Sequence, residues 1–161
     1  MGRWAWSNRE TVESCQTFSV FELNQKQALS GRVSAKVSWM TVWGTAEQSI
    51  GIYVVATGDL GYAGHVQLRY KLTHALTGDS EDIEYTVGLE ATSCYFGGVR
   101  YWFVCPLMHG SDVCNERVGK LYLPSHGKYF GCRKCYNLTY RSQRERRPKL
   151  SKTLEWLHDR H

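Results

Sequence analysis

The 161-residue sequence contains no long hydrophobic run. Its most apolar segments, Val37 to Ala46 and Ile50 to Thr57, fall well short of the ~20 residues that a membrane-spanning helix needs. No secretory leader is expected: Arg3, Asn8, Arg9, Glu10 and Glu13 interrupt the stretch from Met1 to Cys15, where a basic start would have to give way to an apolar run. Trp6 stands where a myristoylation signal calls for Ser or Thr. The expectation is a soluble, cytoplasmic protein that engages no membrane. There is no internal repeat and no low-complexity tract. Nor is there a nucleophile elbow, a P-loop or a carboxylate dyad, and their absence argues against an enzyme and against a small-molecule substrate. The one catalytic option is a metal-dependent hydrolase or nuclease using His109, Asp112 and His126, which is disfavoured because two of these lie in an irregular insertion.

Apolar residues make up 42% of the chain and charged residues 22%, ordinary values for a globular protein of a size that can bury a core without disulfides. Charge is divided unevenly. Residues 1–98 carry 7 Lys and Arg against 10 Asp and Glu, a balance of −3, whereas residues 99–161 carry 13 against 5, a balance of +8. The basic C-terminal part favours phosphate backbones or an acidic protein face.

Ser19-Val-Phe-Glu22 has the spacing of a capping box, and Phe18 with Leu23 can form a hydrophobic staple, so a helix is predicted from about Val20 to Ser30, ended by Gly31. The period then changes to two. Val33, Ala35, Val37 and Trp39 alternate with polar positions, as do Val66, Leu68, Tyr70 and Leu72, and Ile83, Tyr85, Val87 and Leu89; Ile50 to Ala56 is a β-branched run. Short polar turns separate these four strands, without helical crossovers between them. A fifth run, Tyr101 to Val104, leads into Cys105, and Val118 to Leu123 with Lys128 to Gly131 are expected to pair as a hairpin. The predicted class is mainly β, an α+β arrangement of a small antiparallel sheet or sandwich with an N-terminal helix. A ribbon and a short helical tail follow, the tail broken by Pro148 and resumed at Ser151. The division is placed between a β-rich domain, 1–98, and a basic ribbon with its tail, 99–161.

Six cysteines in a reducing compartment suit metal ligation or burial better than disulfides. The informative spacing is Cys105-x8-Cys114-x17-Cys132-x2-Cys135. Four thiolates suit tetrahedral zinc, and Cys-x2-Cys is the tight knuckle that brings two sulfurs onto one ion. His109, at Cys105-x3-His109, competes with Cys114 for the second position. Cys15 and Cys94 are expected in the core.

The segments Cys94-Tyr-Phe-Gly-Gly-Val-Arg-Tyr-Trp-Phe-Val-Cys105-Pro106, Cys114-Asn-Glu-Arg-Val-Gly-Lys-Leu-Tyr-Leu and Cys132-Arg-Lys-Cys135-Tyr-Asn-Leu-Thr-Tyr-Arg-Ser-Gln143 together resemble a group of uncharacterised bacterial and mobile-element proteins. In that group a GG-x-R-x-W-F segment runs into a CP…C knuckle and a C-R-x-C-x-x-L-x-Y-x-S-Q signature. The resemblance covers about the last third of the chain and implies a zinc ribbon, with no activity attached.

A four-cysteine site is closed and therefore structural, so one structural Zn²⁺ is expected and function is sought on the surface around it. Arg133 and Lys134 lie inside the knuckle, and Arg141, Arg144, Arg146, Arg147, Lys149 and Lys152 follow. Tyr129, Phe130, Tyr136 and Tyr140 are interleaved, a mixture suited to phosphates and stacked bases. The leading expectation is a non-catalytic zinc-ribbon protein acting on nucleic acid or a nucleoprotein machine. The alternative is a mobile-element inhibitor whose acidic face, Asp79, Glu81, Asp82 and Glu84, docks on a basic host defence protein complex that handles nucleic acid.

Overall fold

A computed structural model describes residues 9–40, 47–73 and 78–144. Within them the chain is mainly β. After a single 3₁₀ turn at Val12–Ser14 come β1 (Gln16–Ser19), α1 (Val20–Gln25), β2 (Arg32–Met40), β3 (Glu47–Ala56), β4 (Gly61–Thr73), β5 (Ser80–Ser93) and β6 (Val99–Val104). Short strands β7 (Met108–His109), β8 (Asp112–Val113), β9 (Arg117–Val118) and β10 (Lys120–Leu123) follow, then the helical turn α2 (Arg141–Arg144).

The central body is one antiparallel sheet in the order β2-β3-β4-β5-β6-β9, so each of the first five strands pairs with its neighbour in sequence. Alternation decides which side is buried: Ile50, Ile52 and Val54, then Val66, Leu68 and Tyr70, then Ile83, Val87 and Leu89 face one core. Gln67, Arg69 and Glu84 occupy intervening positions on the solvated side. A bulge interrupts the β4–β5 register between Tyr62 and Gly64. Gly64 has φ +115°, and a Cβ there would lie 1.9 Å from the Val55 carbonyl oxygen, so no other residue fits the bulge.

The buried face is covered from both ends of the described chain. β1 pairs with β10 as a separate antiparallel ladder, and Phe18 of β1 stacks on Phe103 of β6 at 4.9 Å. Val20, Leu23, Leu121 and Phe130 join the same core, in which Phe103 and Phe130 are fully buried. The expected division at 98/99 falls in the turn between β5 and β6, neighbouring strands of the one sheet, and the core contains residues from both sides of it.

Three expectations need correction. The helix is shorter than 20–30: the amide of Ala28 donates to Leu23 O and that of Gln27 to Asn24 O, a C-terminal lock in which Gln27, at φ 56°, takes the left-handed position assigned to Gly31. The Ser19 side chain makes no cap bond, and the first helical amide, Val20 N–H, donates instead to Gly119 O. Lys128 to Gly131 is no strand but makes one bridge, Tyr122 with Gly131, on the edge of β10 opposite β1. The predicted helix from Ser151 lies outside the described residues.

Candidate metal centre

Cys105 closes β6 and Cys114 follows the β7–β8 hairpin, which folds residues 106–113 back so that the Cys114 amide donates to Leu107 O at 2.8 Å. Cys132 and Cys135 lie on the turn after the Tyr122–Gly131 bridge. The long first loop therefore behaves as a knuckle with a hairpin spliced into it. Asn115 and Asn137, just after each pair, both have φ 50°, a left-handed conformation that asparagine tolerates better than most residues. At Gly131 a Cβ would meet Leu107 Cδ1 at 2.1 Å, so glycine lets the two halves of the site approach without displacing Leu107.

The four sulfurs all lie within 4.8 Å of one another. Cys132–Cys135 is 3.4 Å, Cys105–Cys135 3.7 Å and Cys114–Cys132 3.9 Å. A tetrahedral ion with metal–sulfur bonds of about 2.3 Å sets sulfur–sulfur edges of about 3.8 Å, so the spacing fits a single ion. Backbone amides point at the same sulfurs: Cys132 N–H to Cys105 Sγ at 3.2 Å and Cys135 N–H to Cys132 Sγ at 3.4 Å. Cys105 and Cys132 are buried, while Cys114 and Cys135 are half-buried.

Electrostatics point the same way. The hydrogen bond from Cys105 pulls the Cys132 thiol down to about 5, with further help from Cys135 and Cys114. As donor, Cys105 is pushed far up by that bond and then by burial, and burial followed by its bond to Cys132 raises Cys135 to about 12. Thiolates this close repel one another, and a cation among them is what allows all four to ionise. The donor set is thus that of a soft, tetrahedral metal site, and the four cysteines could hold a metal ion.

His109, the competing second ligand, lies beside the cluster, its Nε2 3.0 Å from Cys135 Sγ on the exposed side. The fourfold group is completed by Cys114. His126, by contrast, pairs with Glu10 at 3.1 Å. Cys15 and Cys94 are outside the group. Cys15 is half-buried and its thiol donates to Thr11 O. Cys94 is exposed, not in the core, because it opens the β5–β6 turn, where its amide donates to Gly98 O.

The expected binding residues are distributed unevenly. The Arg133 guanidinium donates to Leu138 O and lies 5.4 Å from the ring centre of exposed Tyr140, while Lys134 pairs with Glu116 at 2.7 Å. Tyr136 has a structural bond, donating its hydroxyl to Tyr129 O. Phe130 is core. The exposed Arg141 receives Glu13 on its own backbone amide, and Arg144 ends α2. Arg146, Arg147, Lys149 and Lys152 lie outside the described residues.

On the alternative acidic face, Glu81 pairs with Lys128 at 2.6 Å, Glu84 with Arg69 at 2.7 Å and Asp82 with Lys71 at 3.8 Å. Asp79, exposed beside them, also has a partner. Arg69 and Lys71 of β4, together with Lys128, therefore largely neutralise these carboxylates. Arg100, Trp102 and Lys120, which sequence reasoning did not single out, gather with Arg133 and Tyr140 around one groove. The sequence signals for Arg100 and Trp102 were their places in the GG-x-R-x-W-F segment and their same-face spacing in β6; Lys120 had none.

Comparison with models of protein families, with curated proteins and with solved structures gave no match. Among the described residues no helix is long and apolar enough to cross a membrane.

Proposed function

We propose that this chain is a non-catalytic, cytoplasmic zinc-ribbon protein that binds nucleic acid, alone or within a nucleoprotein machine, and that its one metal ion is a structural zinc. The observation that carries this reading is the closed set of four cysteines on a basic module. Zinc matches four thiolates at tetrahedral spacing, and four protein ligands leave no coordination position for water or substrate. The ion would hold the β7–β8 hairpin and the Cys132–Cys135 turn against the end of β6, and this chain's own residues would make the contacts. Arg133 and Lys134 are fixed by the very turn that supplies two ligands, which ties the shape of the basic surface to the metal. The pairing of Glu81, Asp82 and Glu84 within the protein supports a basic binding surface over an acidic docking face.

Elemental analysis of the undenatured protein, together with a salt series of binding to DNA and RNA, tests the reading. Expected are one zinc per chain and affinity that falls as a power of salt concentration. Protein without stoichiometric metal removes the zinc reading, and absence of binding to any DNA or RNA at low salt removes the nucleic-acid reading.

A further inference from the structure

We infer that a groove beside the metal knuckle is a site for single-stranded nucleic acid, with phosphates held by Arg100, Lys120 and Arg133 and bases stacked on the neighbouring aromatic rings. This deepens the nucleic-acid reading above and rests on it.

The groove has a volume of about 340 Å³ and is walled by β6, β9, β10, the first turn of α1 and the knuckle. That is near the lower end of the range for pockets that enclose small organic ligands, about 300–1,000 Å³. Among the described residues four cations line it, Arg117 being the fourth, no lining side chain is a carboxylate, and of the four only Arg117 has an acidic partner, Glu90 at 3.5 Å. Arg100 is held between two rings, its guanidinium 4.3 Å from the centre of Trp102 and 5.4 Å from that of Phe21. Stacking fixes the guanidinium plane and leaves its N–H edge free for a phosphate. The indole is itself anchored, its N–H donating to Thr92 Oγ1 at 3.0 Å.

Phe21 is seated by sequence. A Cβ on Gly119 would lie 2.6 Å from the Phe21 ring, so the glycine lets that ring lie against the backbone between β9 and β10. Phe21 and Tyr140 nonetheless remain 38% and 40% exposed, and both offer ring surface to a ligand.

The occupant follows from this combination. Cations alone would suit a duplex, but the bases of a duplex are stacked on each other and leave aromatic faces unused; unstacked bases use both. An acidic protein segment would satisfy the cations and leave the rings without a role. A second feature extends the same chemistry. The β5–β6 turn carries Tyr95 and Phe96, both 96% exposed, and only three residues separate Phe96 from Arg100. Two solvent-facing rings at a hairpin tip continue a stacking track that begins in the groove.

The test uses the metal-loaded full chain and fluorescein-labelled dT and U oligonucleotides of about 16 nucleotides, with a duplex of equal length, followed by anisotropy between about 50 and 200 mM salt. Arg100→Ala and Lys120→Ala should each lower the log–log salt slope by about 0.7. Tyr140→Ala should weaken binding by about 5- to 150-fold with the slope unchanged, while Tyr140→Phe retains the stack and the affinity. Arg69→Ala, on the same face of the sheet but outside the groove, should change nothing. Equal or tighter binding to the duplex overturns the inference. So does a result in which Lys134→Ala and Arg141→Ala carry the slope change while the groove variants do not, and that outcome leaves the broader reading standing. If no nucleic acid binds, and an acidic protein does, both fail. Unchanged zinc content in each variant excludes misfolding as the cause.

Discussion

Replacement of Cys132 by serine tests the proposed metal. Cys132 Sγ meets all three of the other clustered sulfurs and accepts the Cys135 amide, yet a serine hydroxyl can accept the same amide. What the substitution removes is one thiolate of four. Structural zinc in small domains binds with an apparent ~10–16 kcal/mol. At ~10 µM free zinc, mass action turns that into ~3–9 kcal/mol of stabilisation of the folded chain. For a chain of this length each kcal/mol moves Tm by ~2–4 °C. The variant should therefore melt at least ~6 °C below the zinc-loaded parent and retain little or no metal. Secondary structure below the transition should survive, because β2 to β5 precede the first ligand and include none. The assay is calorimetry of both proteins with and without excess chelator, on samples analysed for zinc. The two perturbations remove the same interaction, so they should not add: chelator lowers the parent to the level of the variant and leaves the variant unmoved. A parent whose Tm ignores complete removal of metal, or a Cys132→Ser protein that keeps stoichiometric zinc, would refute the argument.

Other consequences follow from the core and the remaining cysteines. Tyr85→Phe should destabilise the protein by about 1–3 kcal/mol in urea unfolding, since the Phe130 amide loses the hydroxyl it reaches at 2.7 Å; an unchanged midpoint would mean the Tyr85 anchor is immaterial. Burial raises Tyr70 from 10.0 to about 12, and burial raises Tyr85 further. Both folded values exceed the unfolded ones, so this contribution to stability is complete below pH 10 and is lost as pH rises towards about 12. Tyrosinate absorbance should then show these two ionising only with unfolding. The double variant Cys15→Ser/Cys94→Ser should keep one zinc and change stability by no more than about 0.5 kcal/mol; loss of metal would contradict the ligand set.

The sequence alone carried the strands and the clustered cysteines, for a local reason in each case. A period of two in Val66, Leu68, Tyr70 and Leu72, or in Ile83, Tyr85, Val87 and Leu89, is written residue by residue. A Cys-x2-Cys turn likewise converges two sulfurs without help from the rest of the chain. Cys114 was harder, since its partner lies across an eight-residue gap; the β7–β8 pairing of Met108 with Val113 and His109 with Asp112 is what shortens that gap. Tertiary structure decided what depends on distant segments. β10 takes Gln16–Ser19 along one edge and only Gly131 on the other, pairings with distant segments that no local pattern records. The helix ended at Gln25 because Leu23, Ala28 and Leu29 had to reach the core together. The groove joins Phe21, Arg100, Lys120 and Tyr140, residues up to 119 positions apart, and charge and ring acquire a common purpose only when the sheet edge, α1 and the knuckle meet.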